Sequence, residues 1–208
     1  MAKLQVAIDL LTTEAALELA SKVAPYVDII ELETPLIKAE GLKVVTAMKE
    51  AHPTKLVFAD MKTADTGALE AEMAFKAGAD LVTVMGAVDD ATIKGAVEAA
   101  AKYGRKVVVD TIGVKDRVQR AKEVTAFGVA FVELHAGLDE QGLPGYSIQK
   151  LIDEGKAANV PFSIAGGVNI NTIKAVLEAG AEVIVAGGAI YGAEDPAAAA
   201  KALKEAIS

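Results

Sequence analysis

Short apolar runs alternate with helical patterns along the whole chain, and this alternation most restricts the fold. Eight strand–helix units of roughly 25 residues each fit into the 208 residues. The predicted strands are continuously apolar rather than alternating, which is typical of a parallel sheet buried on both faces. We therefore predict a single (β/α)8 TIM barrel over residues 1–208, a fold that commonly takes about 200 to 250 residues. The alternative is an open doubly wound sheet.

The boundaries follow from turn and capping signals. The predicted strands are 4–10, 26–32, 55–59, 80–85, 106–110, 130–135, 161–165 and 182–186. Helices are expected after a cap at Thr12 or Thr13, and over 35–51, 66–77 (with helical pattern from residue 63), 89–103, 115–127, 147–158, 169–179 and 195–207. A longer loop is expected at 136–145. No linker or shift in composition divides the chain.

Composition excludes several classes of partner and chemistry. A net charge of −8 argues against nucleic acid or an anionic membrane as partner. The absence of cysteine removes thiol nucleophiles and thiolate metal sites. No apolar run approaches the roughly 20 residues of a membrane span. The start leads directly into a strand pattern with no signal layout, so we expect a cytoplasmic protein.

The exit of the third strand carries an unusual concentration of charge. Asp60, Lys62 and Asp65 follow the apolar run that ends at Ala59. Side chains alternate along a strand, so Asp60 and Lys62 share a face, roughly 6.5–7 Å apart along the chain. Charges at the end of a buried strand are paired, bound to metal or catalytic. A surface salt bridge is the structural alternative.

Other predicted strands also end in polar residues. Asp9, Glu31, Asp110 and His135 would meet Asp60 and Lys62 at the carboxyl-terminal mouth, where such barrels place their active sites. For Asp110 we favour a helix cap or loop hydrogen bond. His135 has the alternative of a core or loop histidine satisfied by the backbone. The other histidine, His52, precedes Pro53 at a helix end and is expected at the surface.

Two glycine pairs follow the last two strands. Gly166 and Gly167 come after strand seven, and Gly187 and Gly188 come after strand eight. Bare glycines let backbone N–H groups approach an anion, and these two loops are a recurrent phosphate site in such barrels. Tight turns also use glycine pairs, but two pairs at these strands favour phosphate binding. Backbone amides would do the holding, since no arginine is near.

Together these residues predict a site for a phosphorylated substrate. The phosphate of the substrate would lie at the glycine pairs, and the remainder of the substrate would extend toward Glu31, Asp60 and Lys62. Two carboxylates are hard oxygen ligands that suit Mg²⁺, with Mn²⁺ as an alternative. A metal and a lysine would stabilise an enediolate formed beside a carbonyl.

The residues from Asp60 to Asp65 resemble the D-x-K-x-x-D motif of the orotidine monophosphate decarboxylase suprafamily. Within it, the chain is similar over essentially its whole length to the 3-hexulose-6-phosphate synthases. The segments that carry this likeness are 4–9, 28–32, 34–37, 133–141 and 186–191, and His135-Ala136-Gly137-Leu138-Asp139 is the most specific.

This resemblance implies a reversible aldol condensation of formaldehyde with D-ribulose 5-phosphate, dependent on Mg²⁺, that gives D-arabino-hex-3-ulose 6-phosphate. It implies that Glu31 and Asp60 hold the metal, Lys62 stabilises the enediolate and His135 moves protons. Asp9 would contact a substrate hydroxyl. A homodimer is also implied, with Asp65 reaching into the neighbour's site.

One position departs from the family pattern, which has glycine where this chain has Glu33. Glu33 lies two residues after Glu31 and should share its face. The added carboxylate is expected to bind metal, block substrate or raise the pKa of a neighbouring acid by repulsion. A backbone angle that only glycine tolerates would add strain. A barrel scaffold with an impaired site is therefore an alternative function.

Two further enzymes share this barrel. A 3-keto-L-gulonate 6-phosphate decarboxylase would use the same metal and enediolate, but Leu138 and Gly188 stand where its arginines are expected. A ribulose-phosphate 3-epimerase is a weaker alternative, because its histidine-bearing metal site has no counterpart on the early strands.

Overall fold

The computed structural model of the chain describes residues 2–208 and has eight parallel strands closed into a barrel in sequence order. Closure is direct, since Lys3 of the first strand pairs with Val183 of the last. The strands are β1 (Lys3–Ile8), β2 (Ile29–Leu32), β3 (Leu56–Thr63), β4 (Leu81–Met85), β5 (Lys106–Asp110), β6 (Phe131–His135), β7 (Phe162–Ala165) and β8 (Val183–Ala186). The predicted (β/α)8 barrel is confirmed, and the open doubly wound sheet is excluded.

Eleven helices connect and surround the strands of the described chain. They are α1 (Thr13–Val23), α2 (Thr34–Glu40), α3 (Lys43–Ala51), α4 (Gly67–Lys76), α5 (Asp90–Tyr103), α6 (Arg117–Thr125), α7 (Leu138–Gln141), α8 (Gln149–Ala158), α9 (Ile173–Glu178), α10 (Gly188–Tyr191) and α11 (Pro196–Ala206). None of these helices has the length and apolarity needed to cross a membrane.

The outer helices bury a periodic apolar face against the sheet. In α1, Ala16, Leu19, Ala20 and Val23 are buried at helical spacing. Thr12 caps the amino-terminal end of this helix, and its hydroxyl accepts a hydrogen bond from the Ala15 amide at 3.3 Å. The main core lies between the helices and the outward-facing strand residues. Strand residues of opposite parity therefore point into the barrel lumen.

The lumen is layered from apolar to polar. Its lower part is filled by residues that include Ile29, Phe58, Leu81, Phe131 and Val183. Above them the strands place buried polar side chains, namely Gln5, Glu31, Asp60, Thr83, Asp110, Glu133 and Ser163. Burying this many polar groups is costly unless they satisfy one another. The upper layer is consequently the part of the barrel where chemistry is expected.

Several predicted boundaries were wrong, and two of these errors change the elements themselves. The strand predicted at 55–59 continues to Thr63, so residue 63 does not begin a helix and α4 starts at Gly67. The helix predicted over 35–51 is two helices, because the chain turns at Gly41, whose φ of 69° suits glycine. The loop at 136–145 and the segment after β8 each contain a four-residue helix that we did not predict.

Candidate active site

The extended end of β3 positions the lysine of the site. The pairing of β3 with β4 shifts register between Ala59 and Thr63, and Lys62 has a φ of 44°. A positive φ is uncommon for a residue other than glycine and concentrates at functional sites. The Lys62 amide donates to the Thr83 hydroxyl at 2.9 Å, which holds this backbone conformation. The bulge turns the Lys62 side chain toward the barrel mouth.

Asp60 is fully buried and accepts hydrogen bonds on both carboxylate oxygens. Its Oδ1 accepts from the Thr83 hydroxyl at 2.6 Å, and its Oδ2 accepts from the Thr34 hydroxyl at 2.7 Å. The Lys62 ammonium lies 2.5 Å from the same Oδ2. Burial is the largest effect and would raise the pKa of Asp60, but the charge of Lys62 together with hydrogen bonds from Glu33 and Lys62 lowers the net pKa. Asp60 is therefore a fixed anion.

Lys62 also reaches a second buried carboxylate on another strand. Its Nζ lies 3.1 Å from Oδ2 of Asp110. Burial by itself would lower the pKa of Lys62, but Asp60, Asp110 and Glu33 hold it above its ordinary value. A lysine in this state remains protonated, so it is a cation and a hydrogen-bond donor, and its nitrogen has no free electron pair.

Asp110 and His135 form a dyad beside this lysine. The His135 Nδ1 atom lies 2.8 Å from Asp110 Oδ2, and Asp110 Oδ1 accepts from the Ile112 amide at 2.8 Å. The loop hydrogen bond that we favoured for Asp110 is thus present, but it is only part of the role of this residue. Burial would raise the pKa of Asp110, but His135 and Lys62 lower it to about 2. Burial would lower the pKa of His135, but Asp110 raises it above its usual value.

Three carboxylates, from β2, the residue after it and β3, lie close together. Oxygen atoms of Glu31, Glu33 and Asp60 lie within 4.8 Å of one another. Burial, then Glu133 and Asp60, raises the pKa of Glu31, and burial, then Glu31 and Asp60, raises the pKa of Glu33. The predicted shared face of Glu31 and Glu33 is therefore confirmed. The expected strain at Glu33 was wrong, because its φ of −66° and ψ of 156° are ordinary extended values.

This donor set fits a small divalent cation. The three side chains offer only oxygen atoms, the ligand type that Mg²⁺ prefers over nitrogen and sulfur. Close carboxylates without a compensating cation repel one another, and their repulsion is what raises the pKa of Glu33 beyond the effect of burial. Glu31 and Asp60, which we predicted as ligands, both belong to this cluster.

A cavity of about 1100 Å³ opens above these groups. Among the predicted site residues, Asp9, Lys62, His135 and both glycine pairs line it. Glu31 and Asp60 lie beneath it, 1% and 0% exposed. Asp65 does not line it: this residue is exposed and accepts a hydrogen bond from the Thr66 amide at 2.7 Å. His52 lies at the end of α3, as predicted, where it is half-buried, and it does not line the cavity.

The glycine pairs differ in what the backbone demands of them. Gly166 has a φ of 116°, and an added Cβ would lie 2.6 Å from the Ala136 carbonyl oxygen, so the turn itself requires glycine. Gly188 has no such requirement, since its nearest contact for a Cβ is at 3.8 Å. Glycine at this position leaves the cavity wall open without serving the turn, which a bound group would explain.

Sequence reasoning missed the polar residues deeper in the lumen. Glu133 lies on β6 two positions before His135, and an oxygen of its carboxylate lies within 4.8 Å of the Asp110 and His135 ligand atoms. Burial and Asp110 raise the pKa of Glu133 to about 7. Thr34, Thr83 and Gln5 were also missed. For Glu133, its position two residues before His135 on an apolar strand was the available signal.

Comparison with known proteins places these residues in a family. The model of the Orotidine 5'-phosphate decarboxylase / HUMPS family matches residues 2–203. The 3-hexulose-6-phosphate synthase of Mycobacterium gastri is 68% identical over 206 residues, which is 99% of this chain and 100% of the relative. The synthase of Methylomonas aminofaciens is 46% identical over 201 residues, 96% of each chain.

Solved structures agree with the sequence comparison. A crystal structure of a 3-hexulose-6-phosphate synthase superposes with a TM-score of 0.98 at 68% identity, covering 99% of this chain and 100% of the other. The resemblance found from the D-x-K-x-x-D motif and the flanking segments is confirmed. The chain belongs to the orotidine 5'-phosphate decarboxylase / HUMPS family.

Proposed function

We propose that the chain is a 3-hexulose-6-phosphate synthase, an aldehyde-lyase that adds formaldehyde reversibly to D-ribulose 5-phosphate with Mg²⁺. The product would be D-arabino-hex-3-ulose 6-phosphate. Near-complete coverage at 68% identity supports the enzyme class. The observation that carries the mechanism is the position of Lys62, a permanent cation held between Asp60 and Asp110 on the wall of a cavity large enough for a pentulose phosphate.

The phosphate would bind at the loops after β7 and β8. Gly166, Gly167, Gly187 and Gly188 line one side of the cavity, and the open position at Gly188 lets an anion approach the backbone. Backbone N–H groups are suitable donors to phosphate oxygens. This anchor would direct the other end of the sugar across the cavity toward Lys62 and His135.

Lys62 would stabilise the negative charge that develops on the sugar. Removing a proton from C1 of ribulose 5-phosphate leaves an enediolate across C1 and C2. A preorganised ammonium lowers the energy of that charge more effectively in a buried site than in water. Asp60 and Asp110 fix the Lys62 side chain before substrate arrives, so no reorganisation is needed.

His135 would accept the proton that leaves C1 and would later donate a proton to the aldehyde oxygen. Its Nδ1 atom is held by Asp110, which leaves Nε2 as the atom available to substrate. C1 of the enediolate attacks the carbon of formaldehyde and forms the new C–C bond. The aldehyde oxygen then takes a proton and becomes the new hydroxyl, while the C2 oxygen returns to a carbonyl, which is C3 of the product.

Asp9 and a divalent cation would complete the site. Asp9 lines the cavity and would accept a hydrogen bond from a substrate hydroxyl. Glu31 and Asp60 would hold Mg²⁺ or Mn²⁺, which when bound would polarise the sugar carbonyl as a Lewis acid. A homodimer is part of the proposal, because Asp65 lies outside the cavity of its own chain and would reach the partner's site.

One observation argues against the decarboxylase alternative. Leu138 and Gly188 line the cavity where arginines were expected for that activity, and among residues 2–208 no arginine lines it. A carboxylated substrate would carry a second anionic group with no arginine to bind it. We therefore propose no second function.

The test is a direct assay of formaldehyde loss. Ribulose 5-phosphate and formaldehyde are incubated with the purified chain and Mg²⁺, with EDTA-treated protein as the control. We expect formaldehyde to disappear only with sugar phosphate and metal both present. No loss at any metal concentration, or release of CO₂ from 3-keto-L-gulonate 6-phosphate as the faster reaction, would overturn the proposal.

A further inference from the structure

Glu33 is the one member of the three-carboxylate cluster that faces the cavity. It lines the cavity wall, whereas Glu31 and Asp60 are buried below it. Its carboxylate lies within 4.8 Å of the ligand atoms of both. A cation that enters from the cavity and approaches Glu31 and Asp60 therefore meets Glu33 first.

The two deeper acids have limited capacity left for a metal. Both oxygens of Asp60 already accept hydrogen bonds, from Thr83 on one side and from Thr34 and Lys62 on the other. Glu31 accepts from the Gln5 side-chain amide at 2.7 Å. A divalent ion at this position would gain a further anionic oxygen from Glu33, and ligand charge is a main determinant of affinity for hard cations.

A second, independent observation points to an absent group beside the cluster. The side chain of Gln5 is 0% exposed, and its amide head lies against Glu31. Its Oε1 atom is buried and has no hydrogen-bond partner among residues 2–208. Buried polar atoms in native proteins are almost always satisfied. A cation or its water at the Glu31 carboxylate would supply the missing partner.

The balance of charge around the three carboxylates also favours a bound cation. Within the described chain, Lys62 is the one cation that forms an ion pair with a member of this cluster, and it is shared with Asp110. Glu31 and Glu33 make no ion pair within residues 2–208. Close buried carboxylates repel strongly unless a cation or protons compensate for them.

We propose that Glu33 is a third carboxylate ligand of the divalent cation, so that this chain holds its metal with Glu31, Glu33 and Asp60. This inference rests on the metal site of the proposed function and deepens it. The third carboxylate fills a coordination position that a water molecule or substrate oxygen would otherwise occupy. The chain should therefore bind divalent cations more tightly, and with fewer bound waters, than a variant without Glu33.

The experiment measures Mn²⁺ binding without substrate. Titration calorimetry gives the dissociation constant, and water-proton relaxation gives the number of waters on bound Mn²⁺. The variants are Glu33→Gly, the isosteric Glu33→Gln and Glu31→Gln. Asp139→Asn is the matched control, because Asp139 is an acid that lines the same cavity but lies outside the cluster. Thermal unfolding without metal verifies that each variant is folded.

We expect both Glu33 variants to bind Mn²⁺ at least about tenfold more weakly and to retain about one more bound water. Asp139→Asn should bind like the unmodified chain. Unchanged or tighter binding with an unchanged water count in both Glu33 variants would overturn the inference. If Glu31→Gln still abolished binding in that case, the two-ligand site of the proposed function would stand. Binding that survives Glu31→Gln would contradict the metal site itself and the inference with it.

Discussion

The ammonium of Lys62 lies 2.5 Å from the carboxylate of Asp60, a residue only two positions earlier on the same strand. The positive φ of Lys62 and the register shift in β3 make this approach possible. The chain thus uses one strand end to provide both a buried anion and a cation that faces the cavity. Because the pair is preformed, the charge at the mouth is in place before any substrate binds.

Lys62 is expected to act without a covalent bond to substrate. Its raised pKa keeps the amine protonated at neutral pH, so a Schiff base should not form. Borohydride added during turnover should leave the protein mass unchanged. A mass increase on the peptide that contains Lys62 would refute this assignment.

Replacing Lys62 should nevertheless remove most activity. We expect Lys62→Ala to lower kcat by about 10²- to 10³-fold, the cost of losing one preorganised charge-stabilising donor. Lys38→Ala is the control, since Lys38 lines the same cavity but makes no ion pair with these acids in the described chain. A similar loss in both variants would indicate that overall cavity charge, rather than the Lys62 position, governs the rate.

The two histidines should have pKa values on opposite sides of the ordinary histidine value. Despite burial, Asp110 raises the pKa of His135 above 6.5, while burial and Lys55 lower the pKa of His52. An NMR titration of the imidazole C–H resonances should therefore give two separated midpoints. Asp110→Asn should lower the His135 midpoint and leave that of His52 in place.

The same shift predicts a dependence of stability on pH. Because the folded-state pKa of His135 is raised, its contribution is fully present below the unfolded value of about 6.5 and is lost as pH rises through the folded value. The free energy of unfolding should therefore fall more steeply over this range in the unmodified chain than in His135→Asn. Equal slopes would show that the dyad does not stabilise the fold.

Glu33 lines the cavity and is expected to slow the synthase reaction there. If its carboxylate occupies space or a coordination position needed by the sugar, Glu33→Gly should raise turnover when metal is saturating. Its ordinary backbone angles mean that the gain would not come from relieved strain. An unchanged or lower turnover in Glu33→Gly would count against this idea. Absence of synthase activity from the unmodified chain together with recovery in the variant would identify a scaffold impaired by one residue.

Much of the fold was predictable because its signals are local. Continuous apolar strands, glycine helix ends and caps such as Thr12 depend on a few neighbouring residues. The ends of the strands also predicted which acids would meet, since parallel strands in a barrel share one edge. Glu33 was predictable too, from its spacing of two residues after Glu31.

The rest depended on contacts between distant segments. The extension of β3 past Asp60 requires the Thr83 hydroxyl from the next strand to hold Lys62 at positive φ, and no local pattern predicts this. The link between Asp110 and His135 depends on strand register, in which Asp110 pairs with Glu133. Glu133 was missed for the same reason, although its spacing from His135 indicated a shared face.

Asp65 provides a test of shared sites in the proposed homodimer. Within residues 2–208 it is exposed and its side chain accepts a hydrogen bond only from the Thr66 amide, so its loss should not disturb the fold. We expect Asp65→Ala and Lys62→Ala each to be nearly inactive alone. Mixing them should restore about a quarter of the activity, because a heterodimer then holds one site with both residues intact and half of the dimers are mixed. No recovery on mixing would place Asp65 outside the partner's site.

Formation of an enediolate with the help of Lys62 and His135 is the central step of the proposed reaction, and solvent exchange measures that step alone. Ribulose 5-phosphate is incubated with the metal-loaded chain in D₂O without formaldehyde, and the C1 protons are followed by NMR. We predict that one of the two C1 protons exchanges for deuterium, and that Lys62→Ala and His135→Asn abolish this exchange. Formaldehyde consumption by a chain that shows no C1 exchange, or exchange that is unchanged in both variants, would rule out an enediolate mechanism that depends on Lys62 and His135.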